Sequence, residues 1–257
     1  MLRFGILGHL DVRAGDEQLT PTRPKPRRVL ALLLLNANRV VPRETLIEEL
    51  WDGEPPQSAV TTVQTYIYQL RNLLGRAPAG GGARLETVHG GYTLLVQREQ
   101  VDRYRFEDLV AEGRRARAAG DLVTASATLS EALDLWRGPA LADVEAGPVI
   151  ARQLAWLQEL RMDALQTRIE IDLALGRHRA LVGELKALVA AHPLHEWFYG
   201  QLMMALHRSS RRAEALSVYQ QLRATLRREL ALEPSAEIRE LERVVLTTDP
   251  APLLAAS

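Results

Sequence analysis

The sequence predicts two consecutive domains of different fold class: an α+β domain over residues 1–98 and an all-α domain over residues 101–249, with a flexible tail at residues 250–257. Two observations lead to this prediction. Short alternating apolar runs surround three helical stretches in the first part, a pattern typical of small sheets packed with helices. From Val101 onward Ala, Leu, Arg and Glu dominate and no strand pattern occurs, which indicates helices alone. A length of 257 residues is sufficient for two domains with separate cores.

The first elements are short strands. Apolar residues alternate over Phe4–Leu7 and Leu10–Val12 and recur at Leu19, with turn residues between the runs, which predicts a small antiparallel sheet. A helix then begins near Pro26, because proline is favoured in a first helical turn, and it continues through the apolar run Val29–Leu35.

Two further helices precede a loop. Pro42 opens the second helix, and Asp52 begins the Gly- and Pro-containing segment that ends it. The third helix spans Ser58–Leu74, with Ser58 in a position to cap it. The segment Arg76–Ala83 is rich in Ala, Gly and Pro and predicts a flexible turn.

A hairpin completes the first domain. Two strand-like runs, Leu85–Val88 and Tyr92–Val96, are joined by the turn sequence at residues 89–91. A sheet, three helices and a hairpin in this order predict a winged helix, in which Ser58–Leu74 is the recognition helix and the hairpin is the wing.

The second domain predicts a stack of helices with well-marked junctions. Gly176 and Ser210, which both precede helices, lie 34 residues apart, the period of tetratricopeptide helix pairs, so we expect a tetratricopeptide-like repeat. The expected helices are Tyr104–Ala119, Leu122–Arg137, Val149–Leu175, Ala180–Ala191, Glu196–Ser209, Ala213–Leu230 and Ala236–Leu246.

The third helix has an unusual outward face. At about 100° per residue, one stripe of the helix is apolar. It consists of Ala59, Val60, Val63, Ile67, Leu70 and Leu74. The opposite face has no carboxylate and is dense in hydroxyl and amide groups, with Arg71 near its edge. Because most solvated helix faces mix Glu with Lys or Arg, this composition favours contact with hydrogen-bonding groups that are themselves negatively charged.

The start of the first helix is basic. Arg23, Lys25, Arg27 and Arg28 crowd its first turn, where the helix dipole favours anions. Two interpretations are open: a solvated basic edge, or a cluster that contacts the phosphates of a DNA backbone.

Several short motifs resemble known regulators. The first domain resembles the response-regulator (OmpR-like) winged helix, the second resembles the bacterial transcriptional activation domain, and together they resemble the Streptomyces antibiotic regulatory protein family. The motifs span nearly the whole chain. They are Phe4-Gly5-Ile6-Leu7-Gly8, Pro24-Lys25-Pro26-Arg27-Arg28, Leu46–Trp51, Thr62–Leu74, Gly90-Gly91-Tyr92, Leu135-Trp136-Arg137-Gly138, Leu175-Gly176-Arg177-His178, His192-Pro193-Leu194 and Glu233-Pro234-Ser235.

The resemblance implies a sequence-specific activator that binds double-stranded promoter DNA. Threonines of the outward face offer a hydroxyl and a methyl group to base edges, amides offer paired contacts to adenine, and an arginine suits a phosphate or guanine. The expected DNA-contacting residues of the recognition helix are Thr61, Thr62, Thr65, Tyr68, Gln69, Arg71 and Asn72. We expect Tyr68 to contact the DNA backbone and Tyr66 to pack in the core.

The wing has two interpretations. It can approach the adjacent minor groove, where Gly90 and Gly91 permit close passage of the backbone and Arg84 and His89 supply positive charge or donors. Alternatively, the two glycines only form a tight hairpin turn.

The resemblance also implies partners and a biological role. It implies two protomers bound cooperatively as a homodimer to direct repeats in promoters, recruitment of RNA polymerase holoenzyme by the helical domain, and control of an antibiotic biosynthetic gene cluster. The input modules of larger regulators are not expected in this chain.

Other function classes have little support. The chain contains no cysteine, and its longest apolar run, Val29–Leu35, is far shorter than the ~20 residues of a membrane span. His178, His192 and His195 are expected as capping or core residues rather than metal ligands, and no phosphate-binding loop or nucleophile motif occurs. We therefore expect a cytoplasmic, nucleoid-associated protein that is not an enzyme and has no cofactor. The alternative function is a helical-repeat adaptor or peptide-binding sensor whose winged helix serves protein assembly.

Overall fold

A computed structural model describes residues 2–76 and 82–247. Its contacts divide the chain into two compact units, Met1–Arg168 and Ile169–Ser257. The proposed tail at residues 250–257 and most of the predicted turn before the hairpin lie outside the described residues.

A three-stranded antiparallel sheet opens the first unit. Its strands are β1 (Leu2–Gly5), β2 (Asp11–Ala14) and β3 (Glu17–Gln18), paired in the order β1-β2-β3. Phe4 opposes Val12 in this pairing, and both are buried, so the alternating pattern of the sequence identified the inward face correctly.

Three helices follow, and they bury a common core. Helix α1 (Pro24–Leu35) begins two residues earlier than predicted, and its run from Val29 to Leu35 is buried all round. Helix α2 spans Arg43–Trp51 and α3 spans Ala59–Leu74. Ser58 occupies the N-cap position of α3 but makes no side-chain capping hydrogen bond, so that expectation was wrong.

A second sheet contains the hairpin and one strand that the sequence did not predict. Strands β5 (Arg84–Val88) and β6 (Gly91–Leu95) form the hairpin, and β4 (Val41–Pro42), directly before α2, pairs with the other edge of β6. The strand order is β4-β6-β5. The winged-helix prediction is therefore confirmed, with the wing anchored to the segment that begins α2.

The same unit continues through a 3-10 turn at Arg98–Gln100 into α4 (Asp102–Ala118), α5 (Leu122–Asp134) and the beginning of α6 (Pro148–Ala174). The carboxylate of Asp102 accepts hydrogen bonds from the backbone N–H groups of Ile6 (2.8 Å) and Leu7 (3.1 Å) and from Arg137 (2.9 Å). Burial raises the pKa of Asp102, while these hydrogen bonds act in the opposite direction. A carboxylate at the start of α4 thus holds the end of β1.

A second buried carboxylate holds the start of α6. Glu49, on α2, is 1% exposed and accepts hydrogen bonds from the backbone N–H groups of Gly147 (2.6 Å), Val149 (2.9 Å) and Ile150 (2.9 Å). Since the first N–H groups of a helix have no partner inside the helix, Glu49 caps α6 from a distant part of the chain. Val149 and Ile150 belong to the same hydrophobic core as α1 and the two sheets.

The second unit is helical over its described residues. It contains α7 (His178–Ala191), α8 (Glu196–Arg208), α9 (Arg212–Leu230) and α10 (Ala236–Thr247). Helix α8 packs between α7 and α9, and α10 packs on both α8 and α9. Alternation of helices joined by short turns confirms the tetratricopeptide-like prediction.

Histidines and tryptophans separate into several environments. The rings of His192 and His195 lie 5.5 and 4.6 Å from that of Phe198. Burial, followed by the charge of Arg208, lowers the pKa of His178. Trp136 is buried, whereas Trp156 is 52% exposed although apolar residues flank it in the sequence.

Candidate nucleic-acid interface

The outward face of α3 is open to solvent. Its exposed residues are Val60, Thr61, Gln64, Thr65, Tyr68, Arg71 and Asn72, and none is acidic. Val60 was assigned to the apolar stripe and is instead 39% exposed, and Gln64 was not among the predicted contacts. Both could have been found from the sequence, since Gln64 lies one turn from Thr61 and from Tyr68, and Val60 lies one turn before Gln64 on the same side of the helix.

The side chains of this face differ in their exposure and in their hydrogen bonds. Tyr68 is 64% exposed, whereas Tyr66 packs against the core as predicted. The hydroxyl of Thr65 donates to the carbonyl oxygen of Thr61 (3.0 Å), so it can still accept hydrogen bonds through its lone pairs. Thr62 and Gln69 are half-buried at the edges of the face.

Arg71 connects α3 to the wing. Its Nε donates to the carbonyl oxygen of Leu85 (2.8 Å) and its Nη2 donates to the hydroxyl of Thr87 (2.7 Å). Because both contacts are on β5, this arginine fixes the hairpin beside the helix. A base or phosphate contact by Arg71 requires these bonds to be shared or exchanged.

Two of the four basic residues near the start of α1 are accessible. Arg23 and Lys25 are exposed, and the ammonium of Lys25 lies 4.8 Å from the centre of the Trp51 ring. Arg23, Gln69 and Arg76 line one groove of about 360 Å³ between the start of α1 and the end of α3. The fold thus brings this part of the basic cluster to the end of the recognition helix and adds Arg76, which the sequence prediction omitted.

The other two basic residues are held inside the unit. The side chain of Arg27 pairs with Asp143 and donates to the carbonyl oxygen of Pro21 (2.9 Å). Arg28 pairs with Glu145 (2.7 Å) and is only 13% exposed. Both acidic residues lie in the loop between α5 and α6. The start of α1 is therefore neither a simple solvated edge nor a uniform phosphate-binding cluster.

The wing residues do not all lie together. His89 and Gly90 form the tip, with Gly90 in the left-handed region at φ +80°. Arg84 pairs with Leu95 at the far end of the hairpin, about 14 Å away at ~3.4 Å per strand residue. His89 at the tip and Arg84 are therefore too far apart to contact the same short stretch of minor groove.

Packing within the protein requires a glycine at position 91. It is buried, and a Cβ atom added there would lie 2.3 Å from the carbonyl oxygen of Val41. Within the protein this glycine permits close passage of β6 along β4, and its role at the minor groove stays a prediction. Gly90, with no atom within 4 Å of an added Cβ, remains open at the tip.

Residues 2–76 and 82–247 contain no group of three or more His, Asp and Glu side chains that could hold a metal ion. Of the helices there, none has both the length and the apolar character needed to cross a bilayer.

Comparison with known proteins identifies the family. Residues 101–246 match the family described as bacterial transcriptional activator domain, and residues 17–94 match the family described as transcriptional regulatory protein, C terminal. The regulatory protein DnrI of Streptomyces peucetius is 47% identical over 255 residues, which cover 97% of this chain and 93% of DnrI. The chain belongs to the Streptomyces antibiotic regulatory protein family. This confirms the resemblance drawn from the short motifs.

Other members of this family of transcriptional activators are longer. The regulatory protein AfsR of Streptomyces griseus is 40% identical over 248 residues, which are 96% of this chain but 25% of AfsR. A solved structure of Mycobacterium tuberculosis EmbR in complex with a low-affinity phosphopeptide superposes with a TM-score of 0.87 at 35% identity, covering 95% of this chain and 65% of that chain. The winged helix followed by a helical domain is therefore the architecture of a solved relative. The N-terminal matched segment ends at residue 94 and the C-terminal matched segment begins at residue 101. The domain boundary at residue 98 stays a prediction.

Proposed function

We propose that this member of the Streptomyces antibiotic regulatory protein family is a sequence-specific DNA-binding activator that is not an enzyme. It binds direct repeats in promoters as a homodimer and recruits RNA polymerase holoenzyme through its helical domain. The genes it controls are those of an antibiotic biosynthetic cluster, as the family name and the description of its relatives as regulatory proteins suggest.

The observation that carries the proposal is the exposed face of α3. It presents hydroxyl, amide and methyl groups without a single carboxylate, on a helix of 16 residues. At ~1.5 Å per residue this helix is long enough to lie in a major groove, where each base pair presents a distinct set of donors, acceptors and methyl groups. Direct readout by Thr61, Thr65 and Asn72 follows, with Val60 available for a thymine methyl group and Tyr68 for the DNA backbone.

Positive charge beside the exposed face of α3 supports the placement of this helix in the major groove. Arg23 and Lys25 are exposed, and Arg23 shares a groove with Gln69 at the end of α3. Backbone phosphates next to the major groove would meet these side chains first. Arg27 and Arg28 would contribute only if phosphates displaced Asp143 and Glu145, so we assign the phosphate contact to the two free residues.

A gel-shift titration over a salt series tests the proposal. Labelled fragments of the promoters beside the coding sequence are compared with random DNA of equal length at 50, 100 and 200 mM salt, concentrations that bracket roughly physiological ionic strength. The activator predicts preference for the promoter fragments and a linear fall of the logarithm of affinity with that of salt. The alternative, an adaptor whose winged helix serves assembly, predicts no preference over random DNA, and that result would overturn the proposal.

Two variants separate readout from phosphate contact. Thr65→Ala should weaken promoter binding by about 1–3 kcal/mol and leave binding to random DNA unchanged. Arg23→Ala should weaken binding to all DNA alike and reduce the salt slope by about 1. Equal losses in both variants on every DNA would show that the assignment of the two contacts is wrong.

A further inference from the structure

A second concave site lies away from α3, within the unit formed by residues 1–168. The end of α1, the middle of α4 and the first half of α6 enclose a groove of about 620 Å³. Leu35, Val110 and Leu160 contribute its apolar surface. Its volume lies within the ~300–1,000 Å³ range of small-molecule sites, and none of the residues discussed for DNA binding lines it.

An exposed aromatic ring stands in this groove. Trp156 is 52% exposed, although large aromatic side chains normally bury most of their surface. The guanidinium of Arg103 lies 5.3 Å from the centre of its ring. Arg103 is itself held by hydrogen bonds to the carbonyl oxygen of Leu35 (2.5 Å) and to Glu107 (2.7 Å). One part of the ring is thus stacked on a fixed cation, and the remainder is available for a second planar group.

The groove also carries an excess of positive charge. Arg39, Arg103, Arg114 and Arg152 line it against a single carboxylate, that of Glu107. Since Arg103 already occupies Glu107, no acidic group of the lining is left for the other three arginines.

These three arginines differ in their partners. Arg114 pairs with Asp163 (2.5 Å) and Arg152 with Glu48 (3.3 Å), but in both pairs the side chains are about half exposed or more, so the pairs exchange readily with another anion. The exposed guanidinium of Arg39 has no hydrogen bond or ion pair to any residue that the structure describes.

We infer that this groove binds a small planar anion, an aromatic ring that carries a carboxylate or a phosphate. The ring stacks on the open part of Trp156, and the anionic group accepts a bidentate hydrogen bond from Arg39. Arg152 and Arg114 add positive charge around the anion. Because the walls come from α1 on one side and from α4 and α6 on the other, an occupied groove joins the helix that starts at the DNA-facing basic cluster to the helices that follow the wing.

Calorimetric titration of the full chain without DNA tests this site. The probes are 1-naphthoate, an aromatic carboxylate, adenosine monophosphate, an aromatic phosphate, and 1-naphthamide, the neutral counterpart of the first. We expect at least one anion to bind with one site per chain, and the amide to bind about tenfold more weakly or not at all. Which anion binds distinguishes a carboxylate metabolite from a nucleotide.

Variants locate the binding. Arg39→Gln and Trp156→Leu should each weaken the anion by about tenfold, whereas Trp156→Phe, which keeps an aromatic ring, should retain most of the affinity. Arg179→Gln, at an exposed arginine of the second unit, is the matched control and should have no effect.

Three results would overturn the inference: no binding of either anion at millimolar concentration, equal binding of the amide, or unchanged binding in both groove variants. None of these depends on promoter binding, so they are distinct from a failure of the proposed function.

Discussion

The carboxylate of Glu49 joins α2 to the start of α6 by capping the first N–H groups of α6. Replacement of Glu49 by glutamine tests this capping role. Both carboxylate oxygens are used: one accepts from the N–H of Gly147, and the other accepts from the N–H groups of Val149 and Ile150. A glutamine has one oxygen and one NH₂ group in the same volume. It can therefore keep the acceptor for Val149 and Ile150 only by turning a donor towards the N–H of Gly147.

The expected cost follows from these bonds. A buried N–H group that loses its partner costs about 1–3 kcal/mol, and changing two charge-assisted bonds into neutral ones loses about 1 kcal/mol each. The favourable interaction of a negative charge with the helix N-terminus, about 0.3–1 kcal/mol, is also removed. Relief of the desolvation of a buried charge offsets part of the sum. We expect Glu49→Gln to lower the free energy of unfolding of the first unit by about 3 kcal/mol.

Two measurements report this change. Urea unfolding followed by far-UV circular dichroism should show a midpoint about 1 M lower, at an m-value of ~2–3 kcal/mol/M. Hydrogen exchange should show the amides of Val149 and Ile150 exchanging roughly a hundredfold faster.

The neighbouring residue provides the control. Glu48 lies on the same helix and pairs with Arg152 at 3.3 Å, but its side chain is 48% exposed. Because exposed ion pairs contribute little, Glu48→Gln should change the free energy of unfolding by less than about 1 kcal/mol. Equal midpoints for the two variants, or unchanged exchange at the start of α6 in Glu49→Gln, would refute the capping role.

Other predictions concern the wing and the second unit. Gly91→Ala should destabilise the second sheet by at least about 2 kcal/mol in thermal unfolding, because its Cβ would lie 2.3 Å from a backbone oxygen. The control is Gly183→Ala on α7, where no atom lies near the added Cβ. This variant should be neutral or stabilising by up to about 1 kcal/mol. A stable Gly91→Ala protein would contradict the close packing of β4 and β6. Hydrogen bonds from Arg211 and, to a smaller extent, from Lys186 lower the pKa of Glu214 from 4.5 to about 2, so the interaction is complete above pH 4.5 and is lost as pH falls towards 2. Carboxyl NMR should give a midpoint near pH 2 for Glu214 that returns towards 4.5 in Arg211→Ala, and an unmoved midpoint would exclude this pairing.

Much of the fold was accessible from the sequence because helices and hairpins have local signals. The apolar period of about 3.6 residues located α1 to α10 to within a few residues, and alternation located the hairpin. The acid-free face of α3 was visible for the same reason, since residues on one face of a helix recur at fixed spacings. Errors at this level were small: Ser58 does not cap with its side chain, and Val60 lies on the exposed side.

Interactions between distant parts of the chain could not be predicted from the sequence. Strand β4 has two residues and no alternation of its own, so only its pairing with β6 defines it. The pairing of Arg27 with Asp143 joins residues 116 apart in the sequence. No local pattern distinguishes an arginine that will face a phosphate from one that will face such a carboxylate.

The family, the order of the elements and the polar, acid-free side of α3 were predictable without a structure. These follow from local periodicity and short motifs, which depend on residues a few positions apart. The folded structure sets which charged groups remain free. It buried Glu49 under α6, assigned Arg71 to the wing, required Gly91 for the contact with β4, and left Arg39 and Trp156 open in a groove. These assignments need the fold because the partner of a charged or aromatic side chain depends on which distant segments the core brings together.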